Sequence, residues 1–150
     1  IESRTSRIPL IREAYDDAVL GEKIKEKLSF IMHRNYGDFI NYWNERKSYK
    51  GLTYGAVQYP SLYMGAGEQR IIKFLETIYS IPDYSLILID ELDLTLHTEA
   101  LLRLMQVLND ECNTRNIQIV FTSHREELLD CNFIQMAKLL YAWNEQPLIV

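Results

Sequence analysis

The pattern of apolar and polar positions splits the chain into a weakly patterned first part and a sharply patterned second part. Ile24, Leu28 and Ile31 recur at helical spacing between Glu22 and Arg34, with Lys and Glu among them. This predicts an amphipathic helix that Tyr36-Gly37 ends. The residues before it, marked by Arg4, Arg7, Pro9, Arg12 and Gly21, read as a linker or an edge segment. Asp38 to Tyr63 is rich in tyrosine and broken by Gly51, Gly55 and Pro60, which predicts short strands or turns. From Met64 the pattern sharpens. Met64-Gly65-Ala66-Gly67-Glu68 leads into a helix with the stripe Ile71, Ile72, Leu75, Ile78 and Tyr79, closed by Pro82-Asp83.

Leu86 to Ile89 is a continuous apolar run ending in Asp90-Glu91, the pattern of a parallel strand buried on both faces. Thr98 is expected to cap a second helix with the stripe Leu101, Leu102, Met105, Leu108 and Cys112. Ile117 to Phe121 forms a β-rich run that ends in Thr122-Ser123-His124, and Lys138 to Trp143 predicts a further strand. Strands alternating with helices predict right-handed crossovers and a parallel sheet, with ligands at the C-terminal strand ends.

Composition narrows the functional classes. The 150 residues carry 16 Lys and Arg against 21 Asp and Glu, a net charge of −5. A domain held mainly by nucleic-acid phosphates would be basic, so any nucleic-acid affinity has to come from a local patch or another part. No apolar run approaches the roughly 20 residues of a membrane-spanning helix, and no secretory signal is visible. Cys112 and Cys131 lack CxxC spacing and read as reduced thiols of a cytoplasmic protein.

Three polar clusters carry the chemistry: Gly65 to Gln69, Asp90-Glu91 and Ser123-His124. Adjacent carboxylates after four apolar residues are costly to bury unless a cation or protons compensate. Mg²⁺ on a phosphate would compensate the first, and the second could polarise an attacking water. Acids that simply face solvent at a strand end remain an alternative. Small residues before a helix let backbone N–H groups approach an anion; taken alone, the segment reads more readily as a glycine turn in which Glu68 complements the helix dipole. His124 fits either the rim that holds Asp90 or an ordinary loop. His33 and His97 join no acid pair at metal-ligand spacing.

In order, the clusters resemble the C-terminal half of an ABC-type ATPase domain over about Leu62 to Leu129. Met64 to Glu68 match its signature motif, Leu86 to Glu91 its Walker B motif, Leu94 to His97 its D-loop and His124 its switch histidine. Glu68 in the signature, with Leu-Thr-Leu-His after the acids, is similar to the SMC/RecF/OLD-like branch, which includes ATPase subunits of Septu-type and retron-associated antiphage systems. The resemblance implies a P-loop NTPase-like α/β fold, a mostly parallel sheet flanked by helices. Residues 1–63 would then be linker and lid, and residues 64–150 the signature, Walker B and switch half.

It implies ATP and Mg²⁺ as cofactors, with Asp90 the metal partner, Glu91 the general base and His124 the γ-phosphate sensor. Gly65, Ala66, Gly67 and Glu68 would contact ATP held by a second copy, in a head-to-tail dimer. DNA handling or an associated nuclease subunit is the implied output, and a non-hydrolysing scaffold or nucleotide sensor the alternative. Two positions depart from the pattern: Gly65 stands where the family usually has serine, and His97 where the D-loop has aspartate. No Gly-x-x-x-x-Gly-Lys-Ser/Thr loop occurs in the sequence. With Ile at position 1, this leads to the expectation that the phosphate-loop lobe lies upstream. A nuclease metal site at the acids would need further carboxylates on neighbouring strand ends.

Overall fold

The computed structural model describes residues 11–43, 47–131, 140–143 and 146–149. Arg4, Arg7 and Pro9 of the expected linker, and Lys138-Leu139 of the last expected strand, lie outside them.

Three helices build the core. The first, α1 (Ala18–Met32), starts where the Asp17 carboxylate accepts the Leu20 N–H at 2.9 Å. It ends at His33, whose φ of 52° turns the chain out of the helix. Ile24, Leu28 and Ile31 form its buried stripe, as their spacing predicts. That stripe faces α2 (Ala66–Ser80) and α3 (Thr98–Arg115). From α2 come Ile71, Ile72, Leu75 and Ile78, and from α3 Leu101, Leu104, Met105 and Leu108. Leu102 and Cys112, placed on the α3 stripe by pattern, are only partly buried; Leu104 and Val107 complete it instead. Thr98 does not cap α3. The cap position is His97, which makes no side-chain capping bond.

The tyrosine-rich segment forms an antiparallel sheet in the order β1 (Ile11–Ala14), β2 (Phe39–Trp43), β3 (Ser48–Tyr54) and β4 (Val57–Pro60). The expected edge segment is thus the edge strand β1, paired with β2. Phe39 and Leu52 of this sheet join the helical core, and the Tyr42 hydroxyl donates to the Leu52 carbonyl at 2.7 Å. Gly51 is required by close approach: a Cβ there would lie 2.4 Å from the Pro60 Cα.

Strands β5 (Leu86–Ile89) and β6 (Gln118–Phe121), joined through α3, pair in parallel in the register Leu86↔Gln118 to Ile89↔Phe121. Ile87, Ile89, Ile119 and Phe121 pack against the helices. The other face does not match the expectation of a strand buried on both sides: Leu86 and Leu88 are 60% and 74% exposed. The last expected strand corresponds to β7 (Leu140–Trp143), which pairs antiparallel with β8 (Gln146–Ile149) rather than joining β5 and β6. The fold is therefore α/β with small mixed sheets, and only β5–β6 is parallel among the described residues.

Candidate functional site

The β5–β6 register decides the site. Because Ile89 pairs with Phe121, the residues that follow, Asp90 and Thr122, leave the sheet side by side. The Thr122 hydroxyl donates to Asp90 Oδ1 at 2.6 Å and accepts the Glu91 N–H at 2.9 Å. The ladder continues one step further, since Leu92 N–H donates to the Thr122 carbonyl at 3.0 Å. Both acids are exposed, so neither carboxylate carries the burial cost that two-sided coverage would impose.

Glu91 sits at φ 52°, in the left-handed region that disfavours a side chain. This turn aims its carboxylate toward the end of β6, where His124 Nε2 stands 3.9 Å from Glu91 Oε1. The His124 ring is 83% exposed and its setting comes from the backbone. The His124 N–H donates to Asp93 Oδ1 at 3.3 Å. Burial pushes the Asp93 carboxyl up, but hydrogen bonds from Ser123, its own backbone and the His124 N–H outweigh that and hold it below its ordinary value. Arg125 closes the cluster, 3.9 Å from Asp93 Oδ2 and donating to the Leu96 carbonyl at 3.3 Å. Asp90, Glu91 and His124 thus share one rim of the parallel pair.

The Gly65–Glu68 segment is built differently. Gly65 caps α2 with extended backbone, φ −62° and ψ 153°. Glu68 does not point outward with the loop. Its carboxylate is buried and accepts the Tyr36 hydroxyl, the Tyr59 hydroxyl at 2.7 Å, the Gly65 N–H at 3.0 Å and Arg34 Nη1 at 3.1 Å. Burial alone would raise its pKa, yet these donors together hold it below the ordinary carboxylate value, while burial and the anion beside it drive Tyr36 upward. Of the two sequence readings of Glu68, the one realised in these contacts is completion of the helix start. Gly67 is a point of close approach, since a Cβ there would lie 2.8 Å from the Thr95 carbonyl. Gly65 and Ala66 are exposed.

The sequence assigns no role to Thr122, which it places only at a strand end, and gives no sign of Arg70. Asp93 enters there only as a further carboxylate of a nuclease metal site, set aside on the loop after the acids. Strand register alone would have found Thr122 opposite Asp90. Arg70, which donates to the Asp90 and Glu91 carbonyls at 3.1 and 2.6 Å, left no signal in the pattern. Among the described residues no group of three His, Cys, Asp or Glu side chains could hold a metal ion, so the additional carboxylates of a two-metal nuclease site are not found there. A lone carboxylate such as Asp90 does fit Mg²⁺, which keeps waters and shares its coordination with substrate phosphates. Both cysteines are free and half-buried. Among the described residues no helix is long and apolar enough to cross a membrane.

No curated protein matches the chain. A solved structure described as "Structural biochemistry of ATP-driven dimerization and DNA stimulated activation of SMC ATPases" is similar, with a TM-score of 0.65 at 11% identity, over 87% of this chain and 81% of that one. That likeness is one of fold: the described residues are folded like this solved SMC ATPase. The profile of the family described as "AAA domain, putative AbiEii toxin, Type IV TA system" matches residues 2–130. The chain therefore belongs to that AAA-domain family, whose members are ATP-binding P-loop ATPases.

Proposed function

We propose that this chain is the signature, Walker B and switch-histidine half of a dimerising ATPase domain of the SMC-like branch. The observation that carries the reading is the rim itself. Asp90 is tied to β6 by Thr122 at 2.6 Å, and Glu91 lies 3.9 Å from the His124 ring. Asp90 would hold Mg²⁺ through water, and the ion, when bound, would neutralise phosphate charge. Glu91 is half-exposed and can take the proton of an attacking water; His124, beside it, can donate to a terminal phosphate. The N–H groups of Gly65 to Gly67, at a helix start, would reach the γ-phosphate of ATP held by a second copy.

No Gly-x-x-x-x-Gly-Lys-Ser/Thr loop occurs in these 150 residues, so on this reading a complete site would take its loop and lysine from another segment. The ATP-driven dimerisation described for the similar SMC ATPase supports ATP-dependent pairing here, which the signature-motif resemblance would make head-to-tail. The DNA-stimulated activation described for that protein supports coupling of the ATP state to DNA here; a nuclease subunit, antiphage defence as the setting and the cytoplasm as the place belong to the proposal through the motif resemblance alone.

Glu91→Gln, in the protein carrying its phosphate-loop lobe, tests the reading. The variant is expected to accumulate ATP-bound dimers in native mass spectrometry and to lose turnover. Undiminished hydrolysis would remove Glu91 from the role of base. The second reading, a non-hydrolysing scaffold or nucleotide sensor, is favoured by the missing hydroxyl at Gly65. Wild-type protein that binds ATP and dimerises without releasing phosphate would establish it.

A further inference from the structure

Arg70 lies in the first turns of α2, and one nitrogen of its guanidinium reaches two carbonyls. Nη2 donates to the Asp90 carbonyl at 3.1 Å and to the Glu91 carbonyl at 2.6 Å. The left-handed backbone at Glu91, φ 52°, falls between these two carbonyls and brings both within reach of one donor. The same part of α2 touches the loop again further on, where the Gly67 backbone approaches the Thr95 carbonyl too closely for a Cβ. The start of α2 and the turn after β5 are therefore clamped at two points. The guanidinium is a rigid plane with donors in fixed directions, so a shift of α2 either carries the two carbonyls along or breaks the bonds.

We infer that Arg70 is a positioning residue that transmits the state of the Gly65–Gly67 loop to the setting of Glu91. A displacement of the helix start, when its N–H groups engage an anion brought by a second copy, reaches the acid through this side chain. The inference rests on the ATPase reading of Asp90 and Glu91. Among the described residues Arg70 donates only to backbone, so its loss removes neither carboxylate and alters their orientation.

Arg70→Ala and Arg70→Gln, made in the protein carrying its phosphate-loop lobe and assayed with MgATP, test it. The expected result is a kcat lowered on the order of 10²-fold, the scale of a small misplacement of a reacting group. KM for ATP stays unchanged, as does the yield of ATP-dependent dimer in a Glu91→Gln background. Added guanidinium ion restores part of the kcat of Arg70→Ala, which a general loss of packing would not allow. Thermal unfolding checks that the variants fold, and Arg70→Gln carries the test if Arg70→Ala does not. Wild-type kcat, a defect confined to KM or dimer yield, or absence of rescue overturns the inference while leaving Glu91 as base. Retained hydrolysis in Glu91→Gln removes Glu91 from the role of base, and the role of Arg70 with it, whereas a wild type that releases no phosphate overturns the ATPase reading itself.

Discussion

Thr122 Oγ1 lies 2.6 Å from Asp90 Oδ1 and 2.9 Å from the Glu91 nitrogen, so one hydroxyl just past β6 holds the Asp90 carboxylate and the Glu91 backbone at the end of β5. Thr122→Val keeps the shape and removes the donor and acceptor. Because the position is exposed, the loss of stability is expected to stay within about 1 kcal/mol. Turnover is expected to fall by about tenfold, a loss of about 1.4 kcal/mol of transition-state stabilisation, with a higher Mg²⁺ requirement. Steady-state hydrolysis against Mg²⁺ concentration, alongside a melting curve, checks both. Unchanged Mg²⁺ dependence would mean that Asp90 does not need this bond.

Glu68 makes a prediction about acid stability. Its folded pKa lies below its unfolded value, so the unfolded chain binds the proton more readily and stability rises with pH through that interval. The contribution is fully present above the unfolded carboxylate value of about 4.3 and fades as pH falls through the lower folded value. Asp93 acts in the same direction. Glu68→Gln leaves two tyrosine hydroxyls and Arg34 around a neutral amide and is expected to cost about 1–3 kcal/mol at neutral pH. Its denaturation midpoint should also lose part of the acid slope seen in the wild type. Parallel slopes for the two proteins between pH 3 and 5 (roughly the span of these carboxyl titrations) would contradict the charge state assigned to Glu68.

Much of this architecture is legible in the sequence because burial periodicity is local. The stripes of α1 and α2 follow directly from the spacing of Ile24, Leu28 and Ile31 and of Ile71, Leu75 and Ile78. The sharing of one rim by Asp90 and His124 also follows, since two parallel strands bring their C-terminal ends together. What pattern could not supply is the partner of each surface. Leu86 to Ile89 reads as doubly buried, yet burial on a second face depends on what packs there, and Leu88 is left exposed. The fate of Glu68 depends on Tyr36, which follows α1 and lies 32 residues away in the chain, and on Tyr59 of β4, nine residues away on a different element. Single residues such as Arg70 act through side-chain reach, which leaves no periodic trace.

Gly65 is open to the serine usual in the related signature motif. A Cβ there meets only Glu68 Oε2, at an ordinary 3.6 Å, and the backbone φ of −62° suits any residue. Gly65→Ser is expected to gain a few tenths of a kcal/mol as a helix cap. It also places a hydroxyl beside the exposed N–H groups, so ATP-dependent dimer yield should rise at limiting ATP. A variant that is more stable but dimerises no better would separate the capping role of this position from any contact with nucleotide.

Glu91 is one of five non-glycine residues with positive φ among the described residues, and the one whose side chain is proposed as the base. With φ at 52°, a residue bearing a Cβ costs roughly 1 kcal/mol or more relative to glycine. The structural bonds at this position are made by the backbone: its N–H to Thr122 and its carbonyl to Arg70 and to the Leu94 N–H. The side chain adds the 3.9 Å contact with the exposed His124 ring, which is worth little in water. Glu91→Gly therefore keeps the turn, relieves the strain and abolishes turnover. Glu91→Ala removes the same carboxylate while keeping the Cβ. The glycine variant is expected to be more stable than the alanine variant by about 1 kcal/mol, since the left-handed penalty exceeds the extra entropy of glycine in the unfolded chain. Urea denaturation of the two variants decides it. Equal midpoints would mean that the turn after β5 relaxes out of the left-handed region once the carboxylate is gone, and that the strain belongs to the acid rather than to the loop.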